Sequence, residues 1–433
     1  MTKNNDKPYP PDPRGCAVRA LEWVFVRHLP LDHFFAGDKG FLALPVKDRA
    51  LTRAITGTTL RRLGQVDAVI DTLLAKPLPR QAKTARQILR AGIAELLFLR
   101  SAAHGVVHSF VELAGRWRAA RPYKGLINAL FRRVTREQQQ LLADVPLVLN
   151  IPDWPGENWD KLYGDGTRER AAQSMSEAPF ADLSVFKDVE QWTKRLEGQK
   201  LGTQTVRLSS RGRIEKFDGY DEGGWIVQDL GAALPVHILA PKPKENILDL
   251  CAAPGGKTMQ MAAAGASVTA LDNKKARMIR VEENLKRTKL PAKLVCADAR
   301  KWTSETQFDA VLLDAPCSAT GVFRHHPDVH YNHRASDLDE LTANQLLLAQ
   351  QAERLLKPGG RMVYCVCSAE PQEGEDVVTK LLEGSDLKLD PISQKQAGFA
   401  SEFLKDGMVR IPPGSLLEQG GVDAFFIARF RKV

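Results

Sequence analysis

Apolar residues recur at helical spacing through the first third of the chain. Ile88, Leu89, Gly92, Ile93, Leu96 and Leu97 fall three and four apart, as do Leu126, Leu130 and Val134, with Ile127 and Phe131 beside them. Such stripes cover one face of each helix and predict a bundle around one core over residues 14–145. Residues 146–166 are rich in Pro, Trp and Gly and read as a linker. The apolar runs then shorten, as at 205–208 and 225–227, which predicts a small α+β subdomain completing a middle region over 146–235. From Asn246 onward strands at 247–250, 268–272, 310–314 and 362–364 alternate with helical stretches such as 341–356, and 424–430 reads as a closing strand. That alternation predicts a mostly parallel, doubly wound α/β sheet over 236–433.

The chain has 433 residues, 43% hydrophobic and 26% charged. This is an ordinary globular balance, and the length calls for more than one core. No run of about 18 apolar residues occurs, so no membrane-spanning helix is expected. Residues 1–13 are polar and Pro-rich and read as a disordered arm without the apolar stretch of a secretory leader, which makes the cytoplasm the expected location. The six cysteines, Cys16, Cys251, Cys296, Cys317, Cys365 and Cys367, are too scattered for a disulfide framework. They read as packing residues or reactive thiols.

Charge separates the front of the chain from the rest. Residues 1–145 hold 24 Lys and Arg against 12 Asp and Glu, and the remainder holds 37 against 40. A basic helical front end on a near-neutral body fits a nucleic-acid-binding module, and a solvated Arg-rich surface fits equally well. Arg61, Arg62, Arg86, Arg90, Arg116, Arg118, Arg121, Arg132 and Arg133 lie on these helical segments. Their planar forks suit phosphate.

The segment Asp249-Leu250-Cys251-Ala252-Ala253-Pro254-Gly255-Gly256-Lys257-Thr258 joins the first strand of the sheet to a helix. Paired glycines let the backbone approach a ligand, and a helix N-terminus favours negative groups. Asp272 ends the second strand, where a carboxylate can hold ribose hydroxyls, and Asp298 follows the third. The spacing is neither that of a P-loop nor of a dinucleotide fingerprint. Taken alone, the loop is also compatible with a tight turn that binds nothing.

Two later segments carry more. Asp314-Ala315-Pro316-Cys317-Ser318 follows the fourth strand, and Tyr364-Cys365-Val366-Cys367-Ser368 follows the fifth, with Glu370, Glu373, Glu375 and Asp376 behind it. Neighbouring strand ends place two thiols and a carboxylate at one crevice. Such a set suits methylation at carbon 5 of cytosine, a poor nucleophile. A thiolate that adds to carbon 6 makes the ring an enamine able to attack an activated methyl, and a base must then remove the carbon 5 proton. A carboxyl group near the ring nitrogen would stabilise the charge shift. Buried cysteines of purely packing character are the competing reading, and it is the one preferred for Cys251 and Cys296. Cys365 and Cys367 lack a second ligand pair at metal-binding spacing, so no metal is expected. The direction of the Cys365 side chain stays open.

Cys-Ala-Ala-Pro-Gly-Gly-Lys, Asp-Ala-Pro-Cys-Ser and the Tyr-x-x-Cys-Ser strand end, in this order, resemble the two-cysteine RNA 5-methylcytosine methyltransferases over roughly residues 224–433. The resemblance implies a Rossmann-like methyltransferase fold and S-adenosylmethionine as cofactor. It implies Cys367 as nucleophile, Cys317 as the residue that assists release, Asp314 as a contact to the cytosine ring and Lys257 as its support. It implies cofactor contacts from Cys251, Ala252, Ala253, Pro254, Gly255, Gly256 and Lys257, and from Asp272, Asp298 and Asp314. Val227-Gln228-Asp229 matches the family's lead-in to the sheet. Ile88-Leu89-Arg90, Glu95-Leu96-Leu97, the stretch 108–114 and Asn128-Ala129-Leu130 resemble the NusB-like RNA-binding helical domain, as in the bacterial 16S rRNA cytosine-5 methyltransferase B group. The sequence departs from the family with Val366 where Thr is common, Ala319 where Gly is common, and no Leu-Arg-Val-Asn pattern near 179–186.

The resemblance makes rRNA the expected partner of a monomeric enzyme. The same chemistry on tRNA and a non-catalytic RNA-binding assembly factor are the alternatives. A DNA cytosine methyltransferase fits less well, because the second cysteine would be idle.

Overall fold

The structure is a computed structural model and describes residues 11–433. Most of the expected N-terminal arm therefore lies outside the described residues. Its last part does not fit the expectation, because Asp12 caps a helix that begins at Pro13, accepting from Gly15 N at 2.8 Å. Among the described residues no helix is long and apolar enough to cross a membrane.

The chain forms two compact units. One comprises the residues up to 178 with 323–334, and the other 179–322 with 335–433. The expected middle region is thus divided between them.

The first unit is all-helical. Its core is built by Pro13–Arg27, Val46–Arg61, Lys83–Phe98, Ala103–Arg116 and Lys124–Ala143. Ile88, Leu89, Ile93, Ile127, Leu130, Phe131 and Val134 are all buried, with Phe110 and Phe131 ring centroids 5.9 Å apart. Leu126 is exposed, and Ile127 takes the core position on that turn. Several arginines expected to face phosphate are used internally. Arg61 is buried and donates to Arg324 O at 2.5 Å, Arg90 pairs with Asp67, and Arg133 pairs with Glu137. The Pro- and Trp-rich stretch is not an open linker. It forms the short helical turns Leu147–Asn150, Asp153–Gly156 and Trp159–Tyr163. Buried Trp159 packs on Phe323 from the returning segment, centroids 5.7 Å apart.

The second unit holds two sheets. The smaller has β1 (Asp182–Val185), β2 (Gln199–Leu201), β3 (Thr205–Arg207) and β4 (Trp225–Val227) in the antiparallel order β2-β3-β1-β4. Arg207 grips Asp182 through two nitrogens at 2.6 and 2.7 Å and reaches Gly421 O at 2.8 Å, with both side chains buried. The larger sheet contains β5 (Asn246–Leu250), β6 (Ser267–Asp272), β7 (Lys293–Cys296), β8 (Phe308–Asp314), β9 (Leu356–Val366), β10 (Leu387–Leu389), β11 (Leu404–Lys405), β12 (Met408–Ile411) and β13 (Phe425–Lys432). The order β7-β6-β5-β8-β9 is parallel, as the alternation predicts. An antiparallel extension follows, with β13 on β9 and β12 and β10 on β13. Helices Leu230–Leu239, Gly256–Ala263 and Leu338–Leu355 pack among these strands. The C-terminal ends of β5, β6, β8 and β9 share one edge, where open α/β sheets bind ligands.

Candidate active site

The site starts where β5 ends. Cys251 takes a left-handed φ of 63°, and Gly255 one of 100°, turning the chain into helix Gly256–Ala263. A Cβ at Gly255 would sit 3.0 Å from Val281, so the tight loop favours glycine. No side chain caps this helix. Its first-turn amides therefore suit a carboxylate.

Two carboxylates flank the loop. Asp272 is buried at the tip of β6, where its oxygens accept from Lys274 N at 3.0 Å and Ala253 N at 3.3 Å and pair with Arg277 at 3.3 Å. Asp298 is half-buried beyond β7, and the Arg300 guanidinium 2.8 Å away holds its carboxyl down at about 2. Beneath the loop Asp249 is fully buried, which pushes its carboxyl up to about 7, and Thr258 Oγ1 donates to its Oδ2 at 2.5 Å. An uncapped helix start for a carboxylate and an acid at the tip of β6 for ribose hydroxyls fit an adenosyl amino-acid cofactor.

Asp314 closes β8. Lys257 Nζ donates to its Oδ2 at 2.7 Å, and the Cys365 thiol donates to its Oδ1 at 3.6 Å. Burial is the largest influence on Lys257 and would discharge it, but the charge and hydrogen bond of Asp314, together with the nearby Cys365 and Cys367 sulfurs, outweigh burial and raise the lysine's proton affinity. The ammonium also lies 5.4 Å from the Phe425 ring centroid. The Asp314 carboxylate is thus aimed by an ammonium on one oxygen and a thiol on the other.

The two thiols meet beside it. Cys317 Sγ lies 3.6 Å from Cys367 Sγ, and both side chains are half-buried. The hydrogen bond to Cys367, followed by burial, raises the Cys317 thiol well above the ordinary range. Behind the pair lies Glu373, fully buried, accepting from Ser318 N at 2.9 Å, Ser368 Oγ at 2.6 Å and Gln345 Nε2 at 2.9 Å.

Comparison with known proteins shows the family. Residues 236–431 match the family model described as 16S rRNA methyltransferase RsmB/F, and residues 11–136 match the NusB family. Ribosomal RNA small subunit methyltransferase B of Cronobacter sakazakii is 35% identical, over 81% of this chain and 86% of its own. The chain belongs to the RsmB/F family of 16S rRNA methyltransferases. In fold it resembles the crystal structure of PH0851, with a TM-score of 0.75 at 23% identity, over 99% of this chain and 100% of that one. A methyltransferase homolog protein from Pyrococcus horikoshii aligns over 64% of this chain and 94% of its own, at 25% identity and a TM-score of 0.54.

Within this RsmB/F-family chain, the residues singled out from sequence fall into separate groups. Cys317, Cys367, Asp314 and Lys257 come together at one strand edge, and Asp272 flanks the Cys251–Lys257 loop. Cys365 is settled by the end of β9 at Val366. It points inward, fully buried, onto Asp314. Cys296 is exposed, so it is not the packing residue expected. Cys251 is half-buried against the core, and burial pushes its thiol up to about 12. Ala319 holds a left-handed φ of 57°. Glu373 was visible only as one acid in a run of four. Its burial was the missing signal.

Proposed function

We propose that this RsmB/F-family protein uses S-adenosylmethionine to methylate carbon 5 of a cytosine in RNA, with 16S rRNA as the substrate. In this reading a covalent Cys367–cytosine intermediate forms and is resolved with help from Cys317. The observation that carries the proposal is the pair of thiols 3.6 Å apart beside the Lys257–Asp314 ion pair.

The cofactor, when bound by the Cys251–Lys257 loop, Asp272 and Asp298, supplies an electrophilic methyl group on a sulfonium. The protein's own residues account for the rest. Cys367 adds through sulfur to carbon 6 of the base and shifts the ring's electron pair toward carbon 5. Asp314 faces the ring as a fixed carboxyl group whose orientation Lys257 and Cys365 maintain, so no reorganisation is needed as charge moves. Once Cys367 is bonded to the base, Cys317 gives up its own proton to solvent and, as a thiolate, takes the proton from carbon 5; the electron pair so released re-forms the ring double bond and expels Cys367 as the leaving thiolate. An unpaired or extruded cytosine is required, because these atoms cannot be reached inside a stacked helix.

The test is transfer of labelled methyl to deproteinised 16S rRNA and, separately, to tRNA, with the product base identified by mass spectrometry. Label in 5-methylcytosine of 16S rRNA, lost in Cys367→Ser, is the expected outcome. Full activity of Cys367→Ser, or label on tRNA alone, would overturn the mechanism or the substrate respectively.

A further inference from the structure

We infer that Glu373 is a positioning residue that fixes the distance between the two reactive thiols by clamping the loops that carry them. The inference rests on the assignment of Cys317 and Cys367 made above.

Glu373 ends the short turn Pro371–Glu373 and is fully buried, with 0% exposure. Its Oε1 accepts from Ser318 N and from Gln345 Nε2, each at 2.9 Å. Its Oε2 accepts from Ser368 Oγ at 2.6 Å and from Ser318 Oγ. Ser318 follows Cys317 and Ser368 follows Cys367, so one carboxylate holds the residue next to each thiol. Gln345 extends the clamp by donating to Pro316 O at 3.0 Å, one residue before Cys317. Tyr364 Oη anchors the clamp from β9 by donating to Glu373 O at 2.6 Å.

The chemistry of the donors selects a carboxylate here. An ionised carboxylate is acceptor-only with about four lone-pair positions, and four donors converge on it. A neutral apolar residue could fill the volume but would leave the buried Ser318 N–H without an acceptor and would take one acceptor away from the Gln345 amide and from each of the two hydroxyls. Packing alone therefore does not explain an acid at this position. Two further bonds join the same loops: Gly321 N donates to Cys367 O at 3.0 Å and Ala369 N to Thr320 Oγ1 at 3.0 Å. The Glu373 charge also adds to the Cys367 hydrogen bond and burial in keeping Cys317 protonated.

The experiment compares wild type with Glu373→Ala, Glu373→Gln and the double variant Ser318→Ala/Ser368→Ala. The first readout is the rate at which diamide joins Cys317 to Cys367, followed by mass spectrometry of the linked peptide. Diamide takes the two thiol hydrogens and is reduced to the hydrazine, so the rate reports thiol spacing without reference to catalysis. The second is kcat and KM for RNA, with cofactor Kd from calorimetry. For Glu373→Ala, linking slows and kcat falls about 10²-fold, the scale of a misplacement near 1 Å, while RNA KM and cofactor Kd stay within about twofold. Glu373→Gln falls between, because its carbonyl still serves Ser318 N and Gln345 while the two hydroxyls can turn to accept from its amide. Unchanged linking in Glu373→Ala overturns the inference. Should that variant not fold, unchanged linking in both Glu373→Gln and the double serine variant overturns it equally. Slower linking with wild-type turnover upholds the clamp and refutes the catalytic role of the thiols, so the two readings fail separately.

Discussion

Cys317 Sγ stands 3.6 Å from Cys367 Sγ although 50 residues separate them in sequence. The sheet produces this meeting. β8 and β9 are parallel neighbours with Asp314 opposite Cys365, so each thiol lies two or three residues beyond a matched strand position. Backbone bonds then draw the loops together, with Ala315 N on Cys365 O and Gly321 N on Cys367 O, each at 3.0 Å. The proximity of the two thiols follows from strand order.

The Lys257–Asp314 pair is expected to act as one unit. Lys257→Met leaves the Asp314 carboxylate without its ammonium, and Asp314→Asn leaves Lys257 buried without its anion. Each should reduce turnover by about 10²-fold. The double variant should lose little more than either single one, since coupled partners are not additive. Single-turnover rates of the four proteins form the cycle. Independent, multiplying losses would show that the pair is not a unit.

One loop should respond in opposite directions to two small changes. Ala319 holds φ 57°, a conformation costing a non-glycine residue about 1 kcal/mol, so Ala319→Gly should leave stability equal or raise it. A Cβ at Gly321 would lie 2.2 Å from Ala424 O and 2.9 Å from Cys367 O, both backbone. Gly321→Ala should therefore destabilise by about 1–3 kcal/mol. Denaturant titration of both variants gives the signs.

Asp249 sets a pH dependence on stability. Its folded-state value is raised from 3.8 to about 7 by burial, so the folded protein binds the proton more tightly than the unfolded chain does. This contribution is complete below about 3.8 and is lost as pH rises through about 7. Within that window stability should fall by roughly 1 kcal/mol per pH unit from this group. Asp249→Asn should flatten the profile. Thermal melts of both proteins across the window, without cofactor, check it, and parallel profiles would contradict it.

The helical unit has a groove of about 670 Å³ between helices Ala103–Arg116 and Lys124–Ala143, and its lining makes it the expected seat for an RNA phosphate backbone. His104, His108, Arg132 and Arg136 line it over a floor including Val107 and Val111, with no acid among the lining residues. Arg132→Glu/Arg136→Glu should weaken RNA binding and lower the salt dependence of affinity by about one or two charges' worth of slope. Cofactor binding should not change. Filter binding over a salt series measures both effects, and an unaltered slope would place the RNA elsewhere.

Much of this architecture was legible in the sequence because it is local. The Cys251–Lys257 loop, Asp272 and the strand ends carrying Cys317 and Cys367 are short motifs whose positions follow from the β–α alternation. The antiparallel strands β10 to β12 were not legible. They are two to four residues long and gain their identity by pairing, β10 and β12 with β13 and β11 with β12. Arg61 and Arg90 looked like phosphate ligands because a sequence shows charge and not its partner, here Arg324 O and Asp67. Cys365 could not be oriented before the end of β9 was known. Glu373 was hidden for the same reason in stronger form, since its donors Ser318, Gln345 and Ser368 come from three separate segments.

The central claim is that Cys367 bonds to the base and Cys317 releases it. The most direct measurement is a denaturing gel of Cys317→Ala incubated with S-adenosylmethionine and 16S rRNA. A slower-migrating, RNase-sensitive protein–RNA species is expected, and it should vanish when Cys367→Ser is added to the same chain. No such species in Cys317→Ala, or its persistence without Cys367, would contradict the account.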